Sequence, residues 1–184
     1  MRIPVLAALV LMACGSPKPE KSAPAELYSY DVEERLKELG IELVGPELPP
    51  NLKLVQARRS GNLVYLSGNG PLPAGTLKGY YGKVGKDLTV EEGYAAARNT
   101  AIYQLKALQD EIGDLNKVVG IVKVFGMVNC EASFTDHPKV INGFSELLID
   151  VFGERGKHAR SAVGMTSLPW NIACEVEMIV EVAD

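Results

Sequence analysis

The alternation of apolar and acidic side chains near the end of the chain constrains the fold most strongly. Residues 173–182 read ACEVEMIVEV, so one set of alternate residues is apolar and the other set includes Glu175, Glu177 and Glu181. Side chains of a β-strand point alternately to the two faces of its sheet. The pattern therefore predicts a terminal strand with one face in the core and an acidic face that meets water, a ligand or another subunit.

Two amphipathic helices are predicted to cover the apolar face. The first begins after Thr89, which has Glu92 three residues later in a capping-box spacing, and ends at Gly113. The second begins after Asp136 and has Pro138 in its first turn. Apolar residues at helical spacing define the buried stripes. These residues are Tyr94, Ala97, Ala101, Leu105, Leu108 and Ile112 in the first helix, and Val140, Ile141, Phe144, Leu147, Leu148 and Val151 in the second.

Further strand and turn signals complete the predicted order of elements. A short helix is expected within residues 28–39, and a hairpin is expected to turn at residues 60–62. A short strand is expected near residues 80–84, and the apolar run 115–128 predicts a central strand buried on both faces. Residues 158–183 are interpreted as a closing hairpin. This order predicts an α+β fold with two long helices on one face of a mixed sheet.

The beginning of the chain is typical of an exported protein. Its apolar run is too short for a membrane span of roughly 20 residues, and it predicts a signal peptide over residues 1–13. Leu11-Met12-Ala13-Cys14 resembles the lipobox of bacterial lipoproteins, in which the cysteine carries acyl chains. We therefore expect a periplasmic or cell-envelope protein that is anchored to the membrane through Cys14. A plain secretory signal is the alternative.

The segment after the predicted cleavage site differs from the rest of the chain in composition. Residues 14–27 are rich in Pro, Ser, Lys and Glu and predict a flexible tether. Residues 28–184 contain the strand and helix signals described above. We therefore expect the tether to connect the lipidated cysteine to a single folded domain over residues 28–184.

The composition argues against two classes of binding site. The formal net charge is -4, from 19 basic and 23 acidic residues, and no Lys/Arg-rich block predicts a nucleic-acid surface. Two histidines and three cysteines without a C-x-x-C pair do not predict a zinc site. Cys130 and Cys174 are expected to be buried thiols, although an oxidising compartment would allow them to pair. His137 and His158 are expected at the surface.

Arg160 lies early in the predicted closing hairpin. With a four-residue turn at residues 167–170, it would lie on the same face as Glu175 and Glu177. An exposed cross-strand charge pair contributes only about 0.2–1 kcal/mol. If a neighbouring molecule covers this face, the guanidinium would instead be a two-pronged donor for a carboxylate, with Glu175 as an acid–base group. The residues alone leave both interpretations open.

Three motifs together carry a resemblance to a known family. ARSAVGMTSLPWNIACEVEMIVEVA, residues 159–183, resembles the C-terminal signature of the Rid family, the reactive intermediate deaminases also called RidA/YjgF-like or L-PSP endoribonuclease-like proteins. SGNLVYLSGNGP, residues 60–71, is similar to a hairpin of that family. Asn142 in KVINGFSELL matches the asparagine that opens the family's second long helix. The resemblance covers most of residues 52–183.

The resemblance implies a fold, an assembly and a reaction. The fold is a chorismate-mutase-like α+β domain that forms a homotrimer, with pockets between its subunits. The reaction is hydrolysis of 2-imino acids, or their enamine tautomers, to 2-oxo acids and ammonia, without a metal or organic cofactor. The resemblance gives Arg160 the role of binding the ligand carboxylate and Glu175 that of positioning water or relaying protons. The substrate-binding positions that it implies are Ser67, Ile141, Asn142, Ser161 and Ala162.

The chain also departs from the family pattern. Leu54 replaces a tyrosine that lines the pocket from the neighbouring subunit, and Ala162 replaces a cysteine that follows the family's Arg-Ser pair. The first change alters the pocket edge but keeps the carboxylate clamp. The expected exported location also separates the protein from imino acids, which arise mainly in the cytoplasm. The alternative function is therefore a non-catalytic, envelope-anchored protein that binds a small carboxylate or serves as a scaffold.

Overall fold

The computed structural model describes residues 27–47 and 49–184. The predicted signal peptide, the predicted lipidation site and almost all of the predicted tether lie outside the described residues. Short 3-10 segments cover Leu115–Lys117, Gly153–Gly156 and Pro169–Asn171. The α-helices are α1 (Val32–Glu38), α2 (Val90–Ile112) and α3 (His137–Phe152), and the strands are β1 (Ala57–Ser60), β2 (Leu63–Asn69), β3 (Val118–Asn129), β4 (Ala159–Met165) and β5 (Cys174–Val182).

The five strands form one mixed sheet in the order β1-β2-β5-β3-β4. The β1–β2, β2–β5 and β5–β3 pairs are antiparallel, and the β3–β4 pair at one edge is parallel. Helix α2 packs on the β2–β5 side of one sheet face, and α3 packs on the β3–β4 side. These contacts confirm the prediction of an α+β fold with two long helices on one face of a mixed sheet.

The capping signals explain where the long helices begin and end. Thr89 and Glu92 form the complete capping box at the start of α2, and Gly113 ends the helix in a left-handed conformation with φ 79°. Asp136 occupies the N-cap position of α3, but its side chain makes no capping hydrogen bond there. Pro138 lies in the first turn of α3, where a missing N–H does no harm.

The apolar stripes of both helices meet the apolar face of the sheet. Every residue predicted for the stripe of α3 is buried, and so is every residue predicted for α2 except Tyr94. On β2, Val64 and Leu66 point into the core, as the alternation predicts. Tyr94 is instead half-exposed, and its hydroxyl donates a 2.6 Å hydrogen bond to Glu146. The core therefore lies between the two long helices and one side of the sheet.

Two predicted strand features differ in the structure. No strand forms at residues 80–84, which make only isolated bridges at Tyr81 and Val84. Strand β3 is not buried on both faces within the chain: Val124 and Val128 are buried, whereas Val122 on this strand is 42% exposed. Both long helices lie on one side, so no layer formed by residues 27–47 and 49–184 covers the opposite face of β3.

The predicted closing hairpin is wrong. Strands β4 and β5 do not pair with each other, because β3 lies between them in the sheet. The segment β3–α3–β4 is a strand–helix–strand crossover, which places β4 parallel to β3. Residues 166–173 then carry the chain past the end of β3 to its other side, where β5 pairs antiparallel with it.

None of the helices in residues 27–47 and 49–184 is long and apolar enough to cross a bilayer.

Candidate functional site

Arg160 lies on the helix-covered face of the sheet. In the parallel register of β3 and β4, Arg160 is the partner of Val124, and Val124 is also the partner of Met178 on β5. Directly paired residues point to the same side of a sheet. Because Val124 and Met178 are buried under the helices, Arg160 projects toward α3 from the edge strand.

Two polar residues of α3 hold the Arg160 guanidinium. The Nη1 atom donates to Asn142 Oδ1 over 2.9 Å and to Ser145 Oγ over 3.0 Å. Asn142 and Ser145 are three residues apart, so they lie on the same side of the helix. The side chain is half-buried, and burial lowers the pKa of Arg160, although the nearby Glu146 carboxylate acts in the opposite direction. A guanidinium nevertheless stays charged at any physiological pH.

A histidine lies behind this contact. His158 Nε2 is 3.0 Å from Ser145 Oγ, and His158 Nδ1 is 2.7 Å from the carbonyl oxygen of Gly156. Burial lowers the pKa of His158, and the positive charge of Arg160 lowers it further. The expectation of a surface histidine is therefore wrong. We call Arg160, Asn142, Ser145 and His158 the arginine cluster.

Glu175 and Glu177 lie on the other face of the sheet. Glu175 is paired with Met127 and Glu177 with Phe125, whereas Arg160 is paired with Val124. The prediction that Arg160 shares a face with these glutamates is wrong, because it assumed that β4 and β5 form a hairpin. We call the face that carries Glu175, Glu177 and Glu181 the open face.

The carboxyl group of Glu175 packs over Gly68. A Cβ atom on Gly68 would collide with Oε1 of Glu175 and crowd its Cδ and Cγ atoms, so a larger residue at this position would displace the carboxyl group. The pairing of β2 with β5 is irregular between Leu66 and Asn69, which places this glycine in a bulge. Partial burial raises the pKa of Glu175, and the like charge of Glu177 raises it further.

Gln104 supports the bulge from below and was not identified from the sequence. It is fully buried on α2, and its Nε2 donates to the backbone oxygens of Ser67 (2.9 Å) and Val176 (2.5 Å). The available signal was a long polar side chain on the apolar side of a helix, because such a residue needs a partner when it is buried. Gln104 therefore helps to shape the backbone beneath Glu175.

The open face also carries a groove of about 330 Å³. Ser67 is one of the residues that line this groove, and the Ser67 hydroxyl donates to the backbone oxygen of Val55 over 2.7 Å. Ser67 and Glu175 therefore share the open face, away from Arg160. The side chains that line the groove include Tyr65, Ser67, Lys123, Phe125, Glu177 and Ile179.

The remaining predicted substrate-binding residues are divided between the two faces. Ser161 is on the open face, where its Oγ accepts a 3.0 Å hydrogen bond from Lys123. Ile141 is fully buried over Gly126, and Ala162, which is paired with Gly126, packs against the core. Of these predicted residues, Asn142 is the one whose side chain accepts a hydrogen bond from Arg160.

The cysteines and Leu54 lie outside both groups. Cys130 and Cys174 are buried free thiols, as expected, and burial raises the pKa of Cys174 to about 12. Cys130 Sγ is 3.4 Å from His137 Nε2, so His137 is packed against the protein rather than free at the surface. Leu54, which replaces the family tyrosine, is 53% exposed in the segment before β1.

The geometry thus gives two half-sites of different chemistry. The arginine cluster offers a positioned cation at the β4 edge, and the open face offers a half-buried carboxyl group over a bulge. A fixed guanidinium suits a carboxylate ligand, and a carboxyl group with a raised pKa suits proton transfer. Within one chain the sheet separates the two.

The comparisons with known proteins agree with this architecture. A family model with the description "YjgF/chorismate_mutase-like, putative endoribonuclease" matches residues 33–182. Protein TCP17 from Trypanosoma cruzi is 41% identical over 152 residues, which are 82% of this chain and 93% of that protein. The crystal structure of Atu1372 from Agrobacterium tumefaciens has a TM-score of 0.75 at 40% identity and covers 83% of this chain and 94% of that one.

A second solved structure is similar over the same region. It is a protein from Shewanella oneidensis MR-1 described as a "putative endoribonuclease". Its TM-score is 0.76 at 33% identity, and the match covers 83% of this chain and 100% of that one. The family match contains the whole sheet and both long helices. The chain therefore belongs to the YjgF/chorismate mutase-like family.

Proposed function

We propose that this protein is a homo-oligomeric imine deaminase that hydrolyses 2-imino acids, or their enamine tautomers, to 2-oxo acids and ammonia. The observation that carries the proposal is the arginine cluster. Both hydrogen bonds of the Arg160 guanidinium within the described chain come from Nη1. Its Nε and Nη2 atoms remain available to donate to the two oxygens of a carboxylate in the two-pronged geometry that favours such pairs.

The proposal requires a second copy of the chain. Arg160 and Glu175 lie on opposite faces, so one chain cannot present both to one small substrate. We propose a homotrimer in which the open face of one subunit brings its Glu175 to the β4 edge of the next. The half-exposed apolar side chains of the open face, such as Tyr65 at 46% exposure, support contact with another subunit.

The proposed reaction uses Arg160 for binding and Glu175 for proton transfer. Arg160 holds the substrate carboxylate, and a water oxygen bonds to the imine carbon while Glu175 takes a proton from that water. Glu175 returns this proton to the nitrogen, and then takes the proton of the new hydroxyl group and passes it to the nitrogen as well. The carbon–oxygen double bond forms as the carbon–nitrogen bond breaks, and ammonia is released. General acid–base catalysis of this kind contributes typically 10²–10⁴-fold, on the order of the effect expected for Glu175.

An RNA-cleaving function is not supported by the charge of the surface. The Shewanella relative carries an endoribonuclease description, which applies to that protein. Here the open face carries three glutamates, and the net charge is -4. Arg58 and Lys123 also line the groove of this face, but two basic side chains among three glutamates do not form a basic stripe for a phosphate backbone.

One observation favours a second candidate function. Leu54 supplies no hydroxyl where the resemblance places a tyrosine from the neighbouring subunit, and it is solvent-exposed within the chain. A pocket with the arginine but without that hydroxyl would still bind a carboxylate. The second candidate is therefore a non-catalytic carboxylate-binding or scaffold protein of the cell envelope.

We further propose that the mature protein is exported and anchored by acyl chains on Cys14. The support is the lipobox-like Leu11-Met12-Ala13-Cys14 segment after a short apolar run. Several acyl chains would give a firm membrane anchor, since each buried CH₂ contributes about 0.8 kcal/mol.

The experiment that tests the proposed function compares two arginine variants. Purified protein is assayed with 2-iminobutyrate generated in situ, and Arg160→Ala is expected to lose roughly a hundredfold or more of the activity, because positioning of the substrate is lost. Arg98→Ala is the matched control, since Arg98 forms an exposed ion pair with Asp150. Unchanged turnover by Arg160→Ala would rule out the proposed reaction. Calorimetric binding of 2-oxobutyrate without any turnover would instead support the second candidate.

A further inference from the structure

We propose that the Ser145–His158 pair positions Arg160 for its ligand and makes carboxylate binding weaken on acidification. This inference rests on the proposed carboxylate site and adds two residues to it. Neither Ser145 nor His158 is one of the residues that the family resemblance implies. Both act through Arg160, so they are positioning residues rather than catalytic ones.

The hydrogen-bond partners determine the proton positions in this pair. The backbone oxygen of Gly156 can only accept, so His158 Nδ1 carries a proton and donates it over 2.7 Å. In the neutral imidazole, Nε2 is then an acceptor. The Ser145 hydroxyl therefore donates to Nε2 over 3.0 Å, and its oxygen stays free to accept from Arg160.

This series of hydrogen bonds orients the guanidinium of Arg160. The two N–H groups of Nη1 are both used, one by Ser145 Oγ and the other by Asn142 Oδ1. Two acceptors on α3 fix the plane of a group that is rigid and flat. The edge formed by Nε and Nη2 consequently keeps one direction, which lowers the entropy cost of binding a carboxylate.

Protonation of His158 would reverse the direction of its hydrogen bond with Ser145. An imidazolium donates from both nitrogens, so the Ser145 hydroxyl could no longer donate to Nε2 and would have to turn its proton elsewhere. Ser145 Oγ would then face two cationic donors, His158 and Arg160. Positioning of Arg160 is therefore expected to depend on a neutral imidazole.

The surrounding charges favour the neutral imidazole near neutral pH. Arg160 on β4 is the nearby cation, and Glu146 on α3 is a carboxylate whose Oε2 already accepts from Tyr94 over 2.6 Å. In the turn before β4, Lys157 pairs with Glu154 at 2.7 Å, and Lys123 of β3 points to the open face. Burial lowers the pKa of His158 and outweighs the hydrogen bond to the Gly156 carbonyl, which acts in the opposite direction. The charge of Arg160 lowers the pKa further, so the change should occur below the ordinary histidine value of about 6.5.

The test measures affinity for 2-oxobutyrate by calorimetry between about pH 5 and pH 8, the range in which histidine titrates. Wild-type affinity is expected to fall as His158 becomes protonated. Ser145→Ala should weaken binding roughly tenfold at pH 8, because a hydrogen bond to a charged group is lost. His158→Gln keeps an acceptor for Ser145 but does not titrate, so it should bind with little pH dependence. Thermal unfolding of each variant shows whether the fold is retained.

A second readout keeps the inference separate from the proposed function. The NMR signal of the Arg160 Nε–H group in the unliganded protein should shift with the titration of His158, and this shift should be absent in His158→Gln. That shift without carboxylate binding would overturn the proposed function and keep the positioning pair. Carboxylate binding that is independent of pH and of Ser145→Ala would overturn the inference and keep the proposed function.

Discussion

Arg160 and Glu175 lie on opposite faces of the sheet. Their partners on β3 are Val124 and Met127, which are three residues apart and therefore point to opposite sides. A guanidinium and a carboxyl group separated in this way can serve one small ligand only if a second copy of the chain supplies one of them.

Mixed assemblies test this arrangement directly. Arg160→Ala and Glu175→Gln should each be inactive alone. The two variants are unfolded together and refolded as mixed assemblies. In the proposed cyclic homotrimer each subunit would have one such neighbour, so about a quarter of the interfaces should combine an intact arginine with an intact glutamate. Activity is measured before and after mixing.

The control for this experiment is the double variant mixed with wild type. Those assemblies contain intact pairs only between two wild-type neighbours, so activity per wild-type chain should fall. If mixing the two single variants restores nothing although mixed trimers form, the shared pocket is wrong.

Gly68→Ala should displace the Glu175 carboxyl group. The added methyl group collides with the carboxyl end of that flexible side chain, which can rotate away. We therefore expect turnover to fall roughly tenfold or more because the carboxyl group is displaced, with little change in the free energy of unfolding. Gly120→Ala is the matched control, because the nearest atom to its added Cβ is Arg155 O at 3.8 Å. Equal activity of the two variants would show that the position of Glu175 is not important.

Glu177→Gln should move the acidic limb of the pH–activity profile to lower pH. Partial burial raises the pKa of Glu175, and the negative charge of Glu177 raises it further, so the glutamine removes one of the two causes. Glu175 must be ionised to take a proton from water, and the ionised form then persists to lower pH. The measurement is kcat/KM against pH, with Glu181→Gln as the control on the same face.

Gln104→Met should destabilise the fold by roughly 1–3 kcal/mol, because the backbone oxygens of Ser67 and Val176 each lose a donor. The cost is limited because Gln104 Oε1 is buried and has no hydrogen-bond partner within the described chain. Urea unfolding measures the change, and Gln109→Met, which removes a bond to Glu33 nearer the surface, should cost less. A variant as stable as wild type would mean that the bulge does not depend on Gln104.

Cys14→Ser should release the protein from the membrane fraction of the cells that express it. The substitution removes the only sulfur available for acylation in the lipobox-like segment. Cys130→Ser, which changes a buried thiol of the folded part, should stay with the membranes. Fractionation followed by mass spectrometry of the N-terminal peptide distinguishes an acylated N-terminal cysteine from the unmodified N-terminus that cleavage of a plain secretory signal would leave.

Some predictions held because short-range signals determined them. The capping box at Thr89 and the helix end at Gly113 are interactions within a few residues, and α2 has the predicted limits. The alternation in β5 correctly separated its buried apolar residues from Glu175, Glu177 and Glu181. These features depend on backbone geometry and on the period of a strand or helix, which neighbouring residues express by themselves.

The site prediction failed at a long-range step. The hairpin interpretation took β4 and β5 as partners because they are adjacent in sequence, and that pairing placed Arg160 with the glutamates. The crossover through α3 instead makes β4 parallel to β3. The strand–helix–strand order of the sequence could have indicated a parallel β3–β4 pair. No local pattern, however, predicts which edge of the sheet a strand will join.

The sequence by itself determined the two long helices, their buried stripes and the alternating faces of β5, because periodicity and capping act over a few residues. Only the tertiary structure decided that Arg160 would meet Asn142, Ser145 and His158 while Glu175 turned to the opposite face. The reason is that strand pairing depends on residues far apart in the sequence. Because β3 lies between β4 and β5, Arg160 and Glu175 lie on opposite faces of the sheet instead of on one face.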